Sequence, residues 1–255
     1  MRLFFLGDVV DESGCRYLQQ KLPAFKRAEG VDVCLANGEN SAPGNGATPD
    51  SCEMLFAAGV DFITLGNHAF RRPELGPWLE SATCVIRPYN YPDGAPGRGC
   101  AVLDTGRYRV GVVNLLGTAF LQPLGNPFEY ADRALAELAD CRYIVVDIHA
   151  EATGEKKALA CYLDGRVSAV LGTHTHVATA DEQVLPGGTA YQTDVGMTGA
   201  VNSVLGVRPD LVIQKMKTAL PVRFAVGEGP LQADGCLIEI DPATGRATAI
   251  ERVTL

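Results

Sequence analysis

Apolar residues fall along this chain in short unbroken runs, and stretches of helical spacing separate them. Residues 3–6, 31–36, 60–65, 110–115, 143–148, 169–171 and 190–193 read as buried strands, too short for helices and too continuously apolar for a sheet with one wet face. Residues 13–27 read as a helix, with Tyr17, Leu18, Leu22 and Phe25 on one face. Another helix begins near Thr48, with Asp50 in its first turn. Strands alternating with helices predict βαβ units and a sheet covered on both sides. The last part differs. Residues 222–226, 235–240 and 248–253 look like strands joined by Gly- and Pro-containing turns such as 241–245, an antiparallel tail that adds α+β character or a second sheet packed on the first. No internal repeat or linker interrupts the pattern. The Pro/Gly-rich stretch 87–99 is flanked by apolar runs and reads as a long loop within one domain spanning 1–255.

Composition narrows the classes. With 255 residues, 47% hydrophobic and 20% charged, the chain is an ordinary globular one with enough length for a sizeable core. A net charge of -8 offers no basic footprint for duplex nucleic acid. It does not exclude an anionic substrate, since bound cations invert the local field. The first apolar run stops at Asp8, too early for a signal peptide, and no run approaches the roughly 18 apolar residues of a membrane span. The eight cysteines, at 15, 34, 52, 84, 100, 141, 161 and 236, form no Cys-x-x-Cys pair and read as reduced thiols of a cytoplasmic protein, Cys34 as a small core residue.

The chemistry collects where the apolar runs end. Gly7-Asp8 follows the first, Asn37-Gly38-Glu39-Asn40 the second and Gly66-Asn67-His68 the third. Residues 143–148 run into His149, and Gly172-Thr173-His174-Thr175-His176 follows 169–171. In α/β sheets ligands bind outside the carboxyl ends of strands, so these five ends can meet although the residues are remote in sequence. All four histidines of the chain lie there. Alternation on an extended segment would turn His174 and His176 to one side. Carboxylates, amides and imidazoles without sulfur suit iron, manganese or zinc. Six or seven ligands are too many for one ion and fit a pair about 3.5–4 Å apart, bridged by a carboxylate.

The ordered set Gly-Asp, Asn-Gly-Glu-Asn, Gly-Asn-His, Asp-Ile-His and Gly-Thr-His-Thr-His resembles the calcineurin-like metallophosphoesterases. It is more similar still to their bacterial YmdB-like branch, whose members act on 2′,3′-cyclic nucleotides. Residues 7–10, 37–40, 147–153, 172–177, 193–199 and 220–224 carry the resemblance, which spans nearly the whole chain. It implies a four-layer α/β/β/α sandwich with two mixed central sheets. It further implies that Asp8, Glu39, Asn40 and His176 hold one metal and Glu39, Asn67, His149 and His174 the other, Glu39 bridging. Iron is the metal described in the branch, with manganese or zinc serving elsewhere. Two positions depart from the superfamily pattern. Val10 stands where the first motif usually has a histidine, leaving Asn40 to substitute, and Ala69 stands where an acidic residue often orients the preceding histidine.

The implied reaction is hydrolysis of a small phosphodiester by a metal-bridging hydroxide, with His68 protonating the leaving ribose oxygen. Imidazole holds a proton at modest cost near neutral pH. Two further readings stay open: a phosphomonoesterase or protein phosphatase with the same dinuclear site, and a regulatory protein that keeps a structural metal centre. Residues 196–199 read equally as a backbone cradle for phosphate or as a tight turn. Arg71, Arg72, Arg87 and Arg223 read as surface or structural charges before anion contacts. Loops 87–99 and 117–127 would choose the substrate. No membrane or duplex nucleic acid is expected as partner, and a homo-oligomer is left open.

Overall fold

The computed structural model describes residues Met1–Leu255. The first third of the chain builds one sheet: β1 (Arg2–Leu6), β2 (Asp8–Val9), α1 (Asp11–Glu29), β3 (Val33–Asn37), α2 (Pro49–Ala58), β4 (Phe62–Thr64), α3 (Leu75–Leu79) and β5 (Val85–Ile86). The middle builds another: β6 (Cys100–Asp104), β7 (Arg109–Leu116), α4 (Pro127–Glu137), β8 (Tyr143–His149), α5 (Thr153–Leu163), β9 (Ala169–Thr173), β10 (Gln183–Val184) and β11 (Ala190–Gln192). The remainder, β12 (Met197–Ala200), α6 (Pro209–Thr218), β13 (Leu231–Ile240) and β14 (Ala247–Thr254), returns to the first sheet.

The eight-stranded sheet runs β2-β12-β13-β1-β3-β4-β5, with β14 also on β13; the six-stranded one runs β10-β11-β9-β8-β7-β6. Both are mixed. β1, β3, β4 and β5 are parallel, whereas β13 lies antiparallel to β1. β7, β8, β9 and β11 are parallel, with β6 and β10 antiparallel at the edges.

Side-chain alternation explains why the strands read as unbroken apolar runs, because each one is covered twice. On β1, Phe4 and Leu6 face Leu18 and Leu22 of α1 and Leu55 of α2. Leu3 and Phe5 face the other way and join Val112, Val145 and Leu171 of the second sheet. On the far side of that sheet, Val146 and Val170 pack on Ala134 of α4 and Leu159 and Leu163 of α5. Three apolar layers between four structural ones make the α/β/β/α sandwich that the motif resemblance implies.

Local signals fix the helix ends. Thr48 Oγ1 accepts from the Ser51 N–H at 3.2 Å and Ser51 Oγ accepts from the Thr48 N–H at 2.9 Å, closing a capping box ahead of Pro49. α1 ends at Gly30, which takes the left-handed φ of 61°.

Several expectations need correction. The tail is not a separate sheet: β13 sits between β12 and β1 in the first one. Residues 222–226 form no strand. Despite their alternating pattern they join neither sheet, and Val226 makes only a single bridge to Val207. Residues 196–199 are neither turn nor phosphate cradle. Met197 and Thr198 are buried in β12 and pair with Asp8 and Val9 of β2, which fixes the first motif in place. Of the two readings of Arg87 the structural one holds: it is buried and donates to the carbonyls of Pro88, Tyr89, Ala95 and Pro96, organising the loop 87–99 from within. All eight cysteines are free thiols, and burial pushes that of Cys34 far up.

Candidate metal centre

Five strand ends deliver their side chains to one pocket. Asp8 opens β2, Asn37 ends β3 with Glu39 and Asn40 just beyond, and Asn67 and His68 follow β4. His149 closes β8, and His174 and His176 follow β9. All eight expected residues therefore converge. Asp8, Glu39 and His149 are almost wholly shielded from solvent.

Glu39 lies at the middle. Its Oε1 is 3.2 Å from His149 Nε2, 3.1 Å from Asn40 Nδ2 and 3.1 Å from His68 Nδ1. Its Oε2 accepts the His68 backbone N–H at 2.9 Å. On one side, Asn67 Oδ1 is 2.9 Å and His174 Nδ1 3.1 Å from His149 Nε2. Ligand atoms of Glu39, His149 and His174 all lie within 4.8 Å of one another. On the other side, His176 Nε2 stands 3.5 Å from Asp8 Oδ1 and 3.4 Å from Asn40 Nδ2. The two groups share Glu39.

Whether these residues fit a cation can be decided from their unmet valences. Asp8 Oδ1 is buried and has no hydrogen-bond partner, although Asp8 Oδ2 accepts from the His174 N–H at 3.0 Å. An orphaned buried carboxylate oxygen costs several kcal/mol unless a cation meets it. Thr173 Oγ1 donates its one proton to Asp147 Oδ1 at 2.7 Å, so it accepts from His149 Nδ1–H at 2.9 Å. That leaves the lone pair of His149 on Nε2, aimed at the cluster of acceptors. Oxygen and imidazole donors without sulfur complete a set suited to a borderline divalent or trivalent ion. The residues fit.

The charges say the same. Burial raises the Asp8 carboxyl, but His176 and His149 outweigh it and hold it below its usual value. Glu39 falls well below the carboxylate range, its burial overcome by His149 and His68. Burial disfavours a charged His149, yet Glu39, Asp8 and Asp147 raise it to about 9. Burial likewise opposes a charged His176, and Asp8 reverses the outcome upward. Burial and the neighbouring His149 together lower His174. Without an ion, the buried carboxylates of Asp8 and Glu39 hold protons on His149 and His176, a place that bound cations would take.

Several residues that support the pocket carry no role in the sequence reading. Asp147 Oδ2 accepts from Thr64 Oγ1 at 2.5 Å and Asn37 Nδ2 at 2.9 Å, and burial pushes its carboxyl up to about 6. Glu151 Oε2 is 2.9 Å from His174 Nε2 and orients that ring from outside. Both flank His149 in the quoted motif, which was the available signal. Asn40 Oδ1 lies 2.9 Å from His68 Nδ1, and so supplies the orienting contact that Ala69 cannot. To ligate through that oxygen, Asn40 would have to turn its amide over.

One expectation about the backbone fails while its conclusion holds. His174 (φ 99°) and His176 (φ 61°) both take left-handed conformations, so the segment is a tight turn and not an extended strand. Asp194 pins it, with Oδ2 accepting from Thr175 N at 3.0 Å and Thr175 Oγ1 at 2.6 Å.

Gly66 marks a close approach. A Cβ placed there would stand 2.4 Å from Glu39 Oε2 and 2.4 Å from His149 Nε2. Gly66→Ala is expected to displace both, costing about 1–3 kcal/mol through overpacking and lowering metal content on elemental analysis. Full metal occupancy in this variant would show that the approach is not needed.

The model of the YmdB-like protein family matches residues 4–253. A 2′,3′-cyclic-nucleotide 2′-phosphodiesterase of Bacillus subtilis is 44% identical over 256 residues, covering 100% of this chain and 97% of the other. A crystal structure of a Thermus thermophilus protein superposes with a TM-score of 0.94 at 43% identity, covering 100% of this chain and 99% of that one. One described as a novel phosphatase from Mycoplasma pneumoniae superposes with a TM-score of 0.93 at 33% identity, covering 100% and 93%.

Proposed function

The chain belongs to the YmdB-like family of calcineurin-like metallophosphoesterases, and from that membership and the pocket's geometry we propose that it hydrolyses 2′,3′-cyclic nucleotides at the 2′ bond. It is a metal-dependent phosphoric ester hydrolase. The observation that carries the reading is Glu39 set between two groups of donors, beside an Asp8 oxygen that is buried without a partner.

Asp8, Asn40 and His176 would hold one ion, Asn67, His149 and His174 the other, and Glu39 both. Iron is the assignment, with manganese or zinc able to serve. When bound, such a pair braces the phosphate oxygens as Lewis acids and supplies hydroxide at neutral pH. The protein's own part is orientation and proton transfer. Thr173 and Asp147 fix His149 with its Nε2 toward the cluster, and Glu151 does the corresponding work for His174. In hydrolysis an oxygen from water bonds to phosphorus and the P–O2′ bond breaks. His68, held at Nδ1 by Glu39, gives its proton to O2′ and leaves a nucleoside 3′-phosphate. Asp8, Glu39 and His149 are buried, so contacts among them are stronger than they would be in water.

No helix is long and apolar enough to cross a membrane. Free thiols support a cytoplasmic location, and a small phosphodiester is the partner the pocket suits.

The test is a panel of 2′,3′-cyclic AMP, bis-p-nitrophenyl phosphate and p-nitrophenyl phosphate, assayed with the metal-loaded protein and after chelation. Both diesters should turn over faster than the monoester, and activity should vanish on chelation and return with iron or manganese. Preference for the monoester would favour a phosphatase instead.

A further inference from the structure

Beside the candidate metal centre lies a cavity of about 670 Å³, lined by His174, Glu151, Phe120 and Leu121 among others. Its volume lies in the range of small-ligand sites, about 300–1,000 Å³. Since His174 Nδ1 is 3.1 Å from His149 Nε2, the cavity opens directly off the proposed catalytic cluster. A cyclic nucleotide with its phosphate on that cluster must extend its sugar and base somewhere, and this cavity adjoins it.

Phe120 is unusual in two independent respects. It is 90% exposed, the most exposed large hydrophobic residue in the molecule, and it takes a left-handed φ of 63°, a conformation that favours glycine. Neither hydration nor backbone preference explains a phenylalanine there. Strained residues held in place by their surroundings concentrate at ligand sites.

The surroundings do hold it. Glu155, in the first turn of α5, accepts from Thr118 N at 2.8 Å, Thr118 Oγ1 at 3.1 Å and Ala119 N at 3.3 Å, fixing the two residues before Phe120. After it, Gln122 Oε1 accepts from Tyr91 Oη at 3.1 Å. Tyr91 and Phe70 are themselves paired edge to face at 5.2 Å, and Phe120 is the one phenyl ring that lines the cavity.

We infer that Phe120 is the platform on which the substrate's nucleobase stacks, an inference that rests on the cyclic-nucleotide reading above. A π-face recognises any base, so the contact selects nucleotides over other cyclic diesters without choosing strongly among bases.

The experiment compares 2′,3′-cyclic AMP with glycerol 1,2-cyclic phosphate, which carries a cyclic diester and no base. Wild type, Phe120→Ala and Phe120→Trp are assayed with metal present. In Phe120→Ala the ratio of kcat/KM for the nucleotide to that for the glycerol ester should fall about tenfold, the scale of one base–aromatic stack. KM for 2′,3′-cyclic AMP should rise by a similar factor, and Phe120→Trp should keep the wild-type ratio. An unchanged ratio, or equal losses on both esters, would overturn the platform while leaving the phosphodiesterase reading intact. A wild-type protein inactive on both esters would overturn the two together.

Discussion

Replacing His68 by alanine is expected to lower kcat for 2′,3′-cyclic AMP by about 10²–10⁴-fold, the usual contribution of a general acid, with the metal content of the protein unchanged. The asymmetry follows from where the ring lies. Its Nδ1 touches Asn40 Oδ1 and Glu39 Oε1 from the half-open side of the pocket, whereas the shielded interior belongs to Asp8, Glu39 and His149. Removing it leaves every proposed ligand in place. A ribose oxygen needs a proton to leave, but nitrophenolate does not, so bis-p-nitrophenyl phosphate should lose much less rate. This difference between substrates separates a proton donor from a merely structural residue. Loss of metal together with activity would make His68 a ligand. Unchanged turnover with full metal would remove it from the mechanism and revive the reading of the centre as structural.

The pocket could be read from the chain because strand ends are a positional code. Once apolar runs are taken as parallel strands, their carboxyl ends share one side of the sheets, and the polar residues just past them must meet. Asp8, Glu39, Asn67, His149, His174 and His176 all obeyed that rule. The supporting layer was harder. Asp147 lies inside a strand, where a buried polar side chain looks like an interruption in an apolar run, and Thr173 closes β9 among more conspicuous histidines. Their role depends on facing Asn37 and Thr64 across the two sheets, a contact no spacing reveals.

The fold was legible where one element's pattern decided its fate and obscure where a partner decided it. α1 showed its buried face through Leu18 and Leu22. β13 looked like part of an appended tail, yet it is central, pairing antiparallel with β1 on the side away from β3. The segment 222–226 had the right alternation and found only a single bridge, from Val226 to Val207. α4, α5 and α6 carry mixed polar faces, and the reading passed over them. The left-handed turn at His174 and His176 was invisible for a related reason: nothing local favours it, and Asp194, fixed from elsewhere, imposes it.

That anchor yields the largest stability effect expected. Asp194 pairs with Lys156 Nζ at 2.8 Å, and both side chains are wholly buried. The same carboxylate accepts from Thr175 N and Oγ1, and its Oδ1 accepts from Gly196 N at 2.9 Å. Lys156→Ala would leave a buried anion facing a void, a loss of about 3–5 kcal/mol. For a chain of this size that corresponds to a drop of roughly 6–20 °C in Tm. Calorimetry with metal present and absent would measure it. Because Thr175 stands between His174 and His176, the variant should also bind metal more weakly at temperatures where it remains folded. A fall of Tm with metal affinity untouched would make the pair an ordinary structural bridge. A Tm within a degree or two of wild type would mean that water or a neighbouring group replaces the ammonium, and that the turn stands without it.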